Sequence, residues 1–132
     1  MRFIKPVYAH CDVPCGIYET DTMTHAAVTC AKMVEKINDL PDDNSFETRN
    51  NFVRMVATKE EHARKCKDQI YILWSDYFKS EHLEKFPSLH DTMWQAAKQC
   101  GKVKQTVSAE ECQKLVDMVH EIAHIFADSK QS

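Results

Sequence analysis

Glycine and proline are scarce in this sequence, with two glycines and four prolines in 132 residues. Three of the prolines lie within the first 41 residues, so the rest of the chain contains few residues that break helices. No apolar run approaches the length of a membrane span. The net charge is −3 and no basic stretch alternates with aromatic residues, which argues against nucleic acid binding. The length suits one compact domain.

Apolar residues recur at steps of three and four along four segments, which is the pattern of amphipathic helices. The first segment runs from Thr22 to Leu40, with Asp21 or Thr22 as its N-cap. The others run from Ser45 to Tyr77 with a possible restart at Thr58, from Ser88 to a stop at Gly101, and onward from a capping box at Ser108–Glu111. We therefore predict an all-α, up-and-down four-helix bundle over residues 19–132, with a connector at 79–87 that contains a helical turn or two.

The six cysteines fall into two groups. Four of them occupy positions within the helical pattern, where a small buried thiol is the expected role: Cys30, Cys66, Cys100 and Cys112. A helical domain of this size does not need disulfides, so a reducing compartment is favoured and we expect a cytoplasmic protein.

The other two cysteines belong to the nine-residue stretch His10-Cys11-Asp12-Val13-Pro14-Cys15-Gly16-Ile17-Tyr18. Pro14 fixes φ just before the second thiol, and Gly16 permits a tight geometry just after it. Thiolates and an imidazole are ligands for late transition metals and not for calcium or magnesium. The spacing alone leaves two interpretations open, a metal site and a short turn closed by a disulfide.

This stretch resembles the metal-binding hook at the mature N-terminus of the nickel superoxide dismutases, and we call residues 10–18 the hook. A second block is similar to a signature of the same family, in the same order: Leu73–Lys79, His82–Pro87 and Leu89–His90. The resemblance implies disproportionation of superoxide to dioxygen and hydrogen peroxide, with one nickel ion per subunit cycling between Ni(II) and Ni(III).

The resemblance also implies a role for each matching residue. His10 would bind nickel through its amine and imidazole, Cys11 through its amide and thiolate, and Cys15 through its thiolate. Tyr18 and Tyr77 would lie beside the metal and order water or pass protons, and Asp12 would hold the hook together. A core aromatic with a satisfied hydroxyl is the alternative interpretation of Tyr77.

The family's maturation and assembly suggest further expectations. Residues 1–9 would be a leader that a processing peptidase removes before His10, and they make a poor secretory signal because they lack a continuous apolar segment. The family forms homohexamers with the hooks at subunit contacts. Because the chain is acidic, steering of superoxide would depend on local lysines, for which Lys79 and Lys85 are candidates.

Two features depart from this interpretation or compete with it. A glutamate and an arginine support the axial histidine in the better-known branch of the family, and here those positions hold Ala26 and His62.

The segment His120-Glu121-Ile122-Ala123-His124 matches H-E-x-x-H, the zinc motif of metallopeptidases, although only eight residues follow it. A non-catalytic metal-binding bundle, or a thiol redox sensor using Cys11 and Cys15, is the remaining alternative.

Overall fold

The computed structural model describes residues 16–131, and every regular element in that range is helical. The four long helices are α1 (Asp21–Asn38), α2 (Phe46–Ile72), α4 (Leu89–Gln105) and α5 (Ala109–Ser129). A short helix, α3 (Ser80–Lys85), lies between α2 and α4, and five π-helical residues, Leu73–Tyr77, extend α2. The predicted all-α bundle is confirmed, and the predicted connector contains α3.

The long helices form a closed ring in which each packs against two others. Helix α1 packs against α2 and α5, and α4 packs against the same two helices. This order is the one that an up-and-down bundle produces. The buried interior is mainly aliphatic, and each long helix contributes one free, buried cysteine to it: Cys30, Cys66, Cys100 and Cys112.

Serine side chains cap two of the helices, as predicted. The hydroxyl of Ser45 accepts the Thr48 N–H at 3.1 Å before α2, and that of Ser108 accepts the Glu111 N–H at 3.2 Å before α5. Each bond satisfies a backbone donor that the first helical turn leaves without a partner.

The predicted N-cap of α1 is wrong by one or two positions. Thr20 is the N-cap residue, and it makes no side-chain cap bond. The Glu19 carboxylate instead accepts the N–H of Thr22, the second residue of the helix, at 2.8 Å. An acidic group at this place also interacts favourably with the helix dipole.

The predicted stop at Gly101 is wrong, because α4 continues to Gln105. Val103 is completely buried, so continuing the helix places an apolar side chain in the core. The buried Lys59 ammonium of α2 donates to the carbonyls of Val103 and Lys104 at 2.8 and 2.7 Å. These bonds satisfy two backbone carbonyl groups at the end of α4, and their donor belongs to a neighbouring helix.

Helix α2 shows no restart at Thr58, and its irregularity lies at its C-terminal end. The Phe78 N–H donates to the Leu73 carbonyl at 3.0 Å, a bond that spans five residues. The Ser75 hydroxyl donates to the Tyr71 carbonyl at 2.8 Å, and such bonds to the preceding turn often bend helices. The π turn therefore shifts the residues at the end of α2, Tyr77 among them, from the positions that a regular α-helix would give them.

None of the helices between residues 16 and 131 is long and apolar enough to cross a membrane.

Candidate metal centre

The described chain begins at the C-terminal end of the hook. Gly16 has φ +69°, in the left-handed region that favours glycine, so the expected tight geometry is present. The predicted nickel ligands and the predicted hook-stabilising residue lie outside the described residues: His10, Cys11, Cys15 and Asp12. The structure thus describes the surface that faces the end of the hook.

A cavity of about 410 Å³ lies at this end of the hook. Its wall combines residues of the hook, the π turn of α2 and the start of α3: Gly16, Tyr18, Asp76, Tyr77, Lys79, Glu81 and His82. The fold therefore brings together the two tyrosines that the sequence singles out. Their ring centroids are 5.4 Å apart, with an angle of 57° between the planes.

The hydroxyl of Tyr77 is anchored to α5. Its oxygen lies 2.7 Å from the Ser129 hydroxyl, which in turn donates to the Phe126 carbonyl at 2.6 Å. Because the Ser129 proton is used in that second bond, Tyr77 is the donor in the first. The Tyr77 hydroxyl is thus satisfied within the bundle, as the alternative interpretation of this residue predicts, while the side chain also lines the cavity.

His82 is a cavity residue, and its contact with Tyr77 has no predictor in the local sequence. Its ring stacks on Tyr77 with centroids 5.6 Å apart and planes inclined by 13°. The His82 Nδ1 atom accepts the Lys79 N–H at 2.9 Å. The only signal in the sequence was its place in the second family-like block.

The two candidate steering lysines differ in position. Lys79 is exposed and lines the cavity, as do Asp76 and Glu81. Lys85 instead donates to the Asp128 carbonyl at 3.2 Å at the end of α5, and it is not among the residues that line this cavity. A single cation therefore faces the cavity among residues 16–131.

Ala26 and His62 lie on neighbouring helices. Ala26 is completely buried, and the half-buried His62 has its Nδ1 atom 2.9 Å from the Thr58 carbonyl. Since a carbonyl only accepts hydrogen bonds, Nδ1 carries the proton, and Nε2 of the neutral ring is an acceptor. Support of the His10 imidazole by His62 stays a prediction, because His10 lies outside the described residues.

The H-E-x-x-H segment lies on the outer face of α5. His120, Glu121 and His124 are all exposed. Within residues 16–131, no group of three or more His, Cys, Asp or Glu side chains is arranged to hold a metal ion. The described part of the chain therefore does not complete the zinc site that the motif suggests.

The hook has the donor chemistry that nickel requires. Thiolates and an imidazole are suitable ligands for a late transition metal. Buried thiols would be poor competitors for the metal. Burial, followed by the nearby Cys112 and Cys100, raises the pKa of the Cys30 thiol to about 12, and a smaller effect of Lys59 opposes this rise. The donor set in residues 10–15 thus fits the metal that the hook motif implies.

Comparison with known proteins agrees with this assignment. The sequence model of a family described as nickel-containing superoxide dismutase matches residues 5–130. The chain belongs to the nickel-containing superoxide dismutase family.

A curated member of the family, the superoxide dismutase [Ni] of Streptomyces coelicolor, is 34% identical over 126 residues, which cover 96% of this chain and 92% of that protein. A nickel superoxide dismutase structure with ligation corresponding to the oxidised state has a TM-score of 0.84 and 32% identity, covering 93% of this chain and 100% of that one. Another, after partial X-ray-induced reduction, has a TM-score of 0.82 and 30% identity with the same coverage. The bundle is therefore that of the nickel-containing superoxide dismutases.

Proposed function

We propose that this chain disproportionates superoxide to dioxygen and hydrogen peroxide at a nickel ion held by the hook. Membership of the family establishes the enzyme class, a nickel-dependent superoxide dismutase, and the nickel cofactor. The observation that carries the proposal is the match over residues 5–130, because it includes both the hook and the second motif block.

His10, Cys11 and Cys15 would hold the ion. When bound, the nickel supplies electron transfer by alternating between Ni(II) and Ni(III), taking an electron from one superoxide and giving one to the next. Thiolate donors suit this task because they place electron density on the metal and favour its higher oxidation state. Solved relatives with nickel ligation of the oxidised state and of a partly reduced state support such a cycle.

The cavity residues would shape the approach of superoxide. Tyr77 is fixed by its bond to Ser129 and packs against Tyr18, so the two phenols form a stable wall at the end of the hook. Peroxide formation needs two protons, and phenols that order water next to the hook can assist their delivery. Asp12 would hold the hook by accepting backbone hydrogen bonds.

Residues 1–9 would be a leader, followed by the hook at 10–18 and the bundle at 19–132. While Ala9 is attached, His10 has an amide nitrogen in place of the amine that serves as a ligand. Cleavage between Ala9 and His10 by a processing peptidase would therefore activate the enzyme. The family motif supports this proposal.

We further propose a homohexamer with the hooks at subunit contacts. Its support is the resemblance, together with large apolar side chains that are exposed in the single chain. Phe46 is 83% exposed, Val53 62% and Trp94 47%, and burial of such groups favours association. The four free core thiols are consistent with a reducing compartment such as the cytoplasm.

The testing experiment compares the full-length chain with a chain that begins at His10, both given nickel under reducing conditions. Superoxide consumption and the Ni(III) electron paramagnetic resonance signal are recorded for each. We expect both only in the chain that begins at His10. Equal activity of the two forms would contradict the leader proposal, and inactivity of both would contradict the proposed function and favour the thiol-sensor alternative.

A further inference from the structure

The tautomer of His82 is fixed by the backbone. Its Nδ1 atom accepts the Lys79 N–H at 2.9 Å, and the His82 N–H donates back to the Lys79 carbonyl at 2.9 Å. A ring nitrogen that accepts a hydrogen bond carries no proton, so the neutral imidazole has its proton on Nε2. The ring therefore cannot turn without breaking the cap at the start of α3.

The fixed imidazole forms one side of the Tyr77 environment. It stacks on the phenol ring at 5.6 Å, and Phe126 lies at 4.7 Å with its plane inclined by 51° to the same ring. His82 also meets Phe78 edge-on, at 5.5 Å and 84°. Stacking and edge-to-face contacts between aromatic rings restrict their orientation.

We propose that His82 is the positioning residue for Tyr77, holding the phenol in the cavity wall by stacking on it while the Lys79 N–H holds the imidazole. The proposal rests on the proposed function, in which Tyr77 stands beside the metal. Tyr77 is held at its hydroxyl by Ser129 and on one ring face by His82. Loss of the stacking partner would let the phenol tilt about its anchored hydroxyl and change the cavity wall.

Two substitutions separate stacking from capping. His82→Phe keeps an aromatic plane against Tyr77 but lacks the acceptor for the Lys79 N–H. His82→Asn keeps a capping acceptor but removes the aromatic plane. His90→Asn is a matched control, because the His90 Nδ1 atom also accepts a side-chain hydrogen bond, from Trp74 at 2.9 Å, and His90 does not line the Tyr77 cavity.

Activity is measured on nickel-loaded chains that begin at His10, with the Ni(III) signal as a check of metal loading. We expect His82→Asn to lower activity by roughly 10- to 100-fold, the cost of a displaced active-site group. His82→Phe should stay within about threefold of the wild type, and His90→Asn should match it. Unchanged activity in His82→Asn, or equal losses in both His82 variants, would overturn the positioning role.

A second measurement does not depend on activity or on nickel. In the nickel-free wild type, nuclear magnetic resonance should show an unprotonated Nδ1 and a protonated Nε2 for His82, with nuclear Overhauser contacts between the His82 and Tyr77 rings. The absence of these contacts would overturn the proposal even if both variants fail to fold. If the wild type is folded and loaded but inactive, the proposed function fails, while the ring contacts still decide the positioning of Tyr77.

Discussion

The four cysteines of the bundle core and the two of the hook have the same side chain but stand in different sequence contexts. Cys30, Cys66, Cys100 and Cys112 come from four helices and are at most 1% exposed. Hydrogen bonding to Cys100, together with burial, raises the pKa of Cys66 strongly, and burial also raises that of Cys112. Cys11 and Cys15 lie instead in a short segment beside a histidine, a proline and a glycine.

This difference distinguishes cysteines that pack the core from cysteines that are proposed to bind a metal. A metal ligand must be a thiolate, whereas burial in an apolar core keeps a thiol protonated. The core cysteines act as small apolar residues at helical spacing, and the hook cysteines are proposed to bind nickel. The sequence pattern around a cysteine thus indicates its role better than the number of cysteines does.

The largest effect is expected from removing a hook thiol. Cys11→Ser or Cys15→Ser, in a chain that begins at His10, should lower both nickel affinity and activity. The decrease should exceed the ~10- to 100-fold that is typical when a residue supporting a metal ligand is lost. Cys112→Ser is the matched control: it should keep nickel binding and activity while lowering stability by ~1–3 kcal/mol, because it buries a hydroxyl. Metal analysis and a superoxide assay measure these effects. Full nickel binding by both hook variants would contradict the proposed difference between the hook cysteines and the core cysteines.

The second expected effect is a difference in thiol reactivity. At pH 8, a pKa of about 12 leaves the Cys30 thiol with roughly a thousandfold less thiolate than an ordinary cysteine has. Alkylation of the folded, nickel-free chain should therefore modify Cys11 and Cys15 and spare the four core cysteines. Mass spectrometry before and after unfolding counts the modified sites. Rapid alkylation of any core cysteine in the folded chain would show that this core is more open than the structure indicates.

The third prediction concerns the buried charge of the core. Lys59→Met leaves the Val103 and Lys104 carbonyls without their donor and should lower the free energy of unfolding by ~1–3 kcal/mol. Nickel affinity should not change, because Lys59 binds the end of α4 and does not line the cavity. Denaturant unfolding measures the loss. Lys32→Met is the control, since Lys32 forms only an exposed ion pair with Glu35, and it should leave the unfolding midpoint nearly unchanged.

The smallest expected effect is the dependence of stability on alkaline pH. The pKa of Cys30 is higher in the folded chain than in the unfolded chain, so the unfolded state loses its proton first as the pH rises. The stabilisation that the protonated Cys30 thiol contributes is fully present below about pH 8.5 and is lost as the pH rises from there to about 12. Between pH 7.5 and pH 9.5 this thiol should lower the free energy of unfolding by ~1.4 kcal/mol. Cys30→Ala should show a shallower decline in unfolding experiments. Parallel declines in both proteins would contradict the raised pKa.

Most of the fold is predictable from local sequence. The apolar spacing identifies the four long helices, and the Ser45 and Ser108 hydroxyls mark two of their starts. The end of α4 is not predictable in this way, because Lys59 stabilises it from another helix. Local propensity at Gly101 therefore gives the wrong boundary.

The candidate site is less accessible to sequence reasoning than the fold. The hook and the second motif block indicate Tyr18 and Tyr77, and the structure places both in one cavity wall. The anchoring of Tyr77 by Ser129 and its stacking on His82 depend on the π turn and on the packing of α5. Neither contact has a local pattern that would have revealed it.

The most direct test of the central claim is nickel X-ray absorption spectroscopy of the loaded chain that begins at His10. Its fine structure reports the elements bound to the metal. We expect two sulfur donors, with nitrogen as the remaining ligands, and the loss of one sulfur in Cys11→Ser or Cys15→Ser under conditions that force loading. A nickel ion bound only by nitrogen and oxygen would contradict the account and place the metal outside the hook.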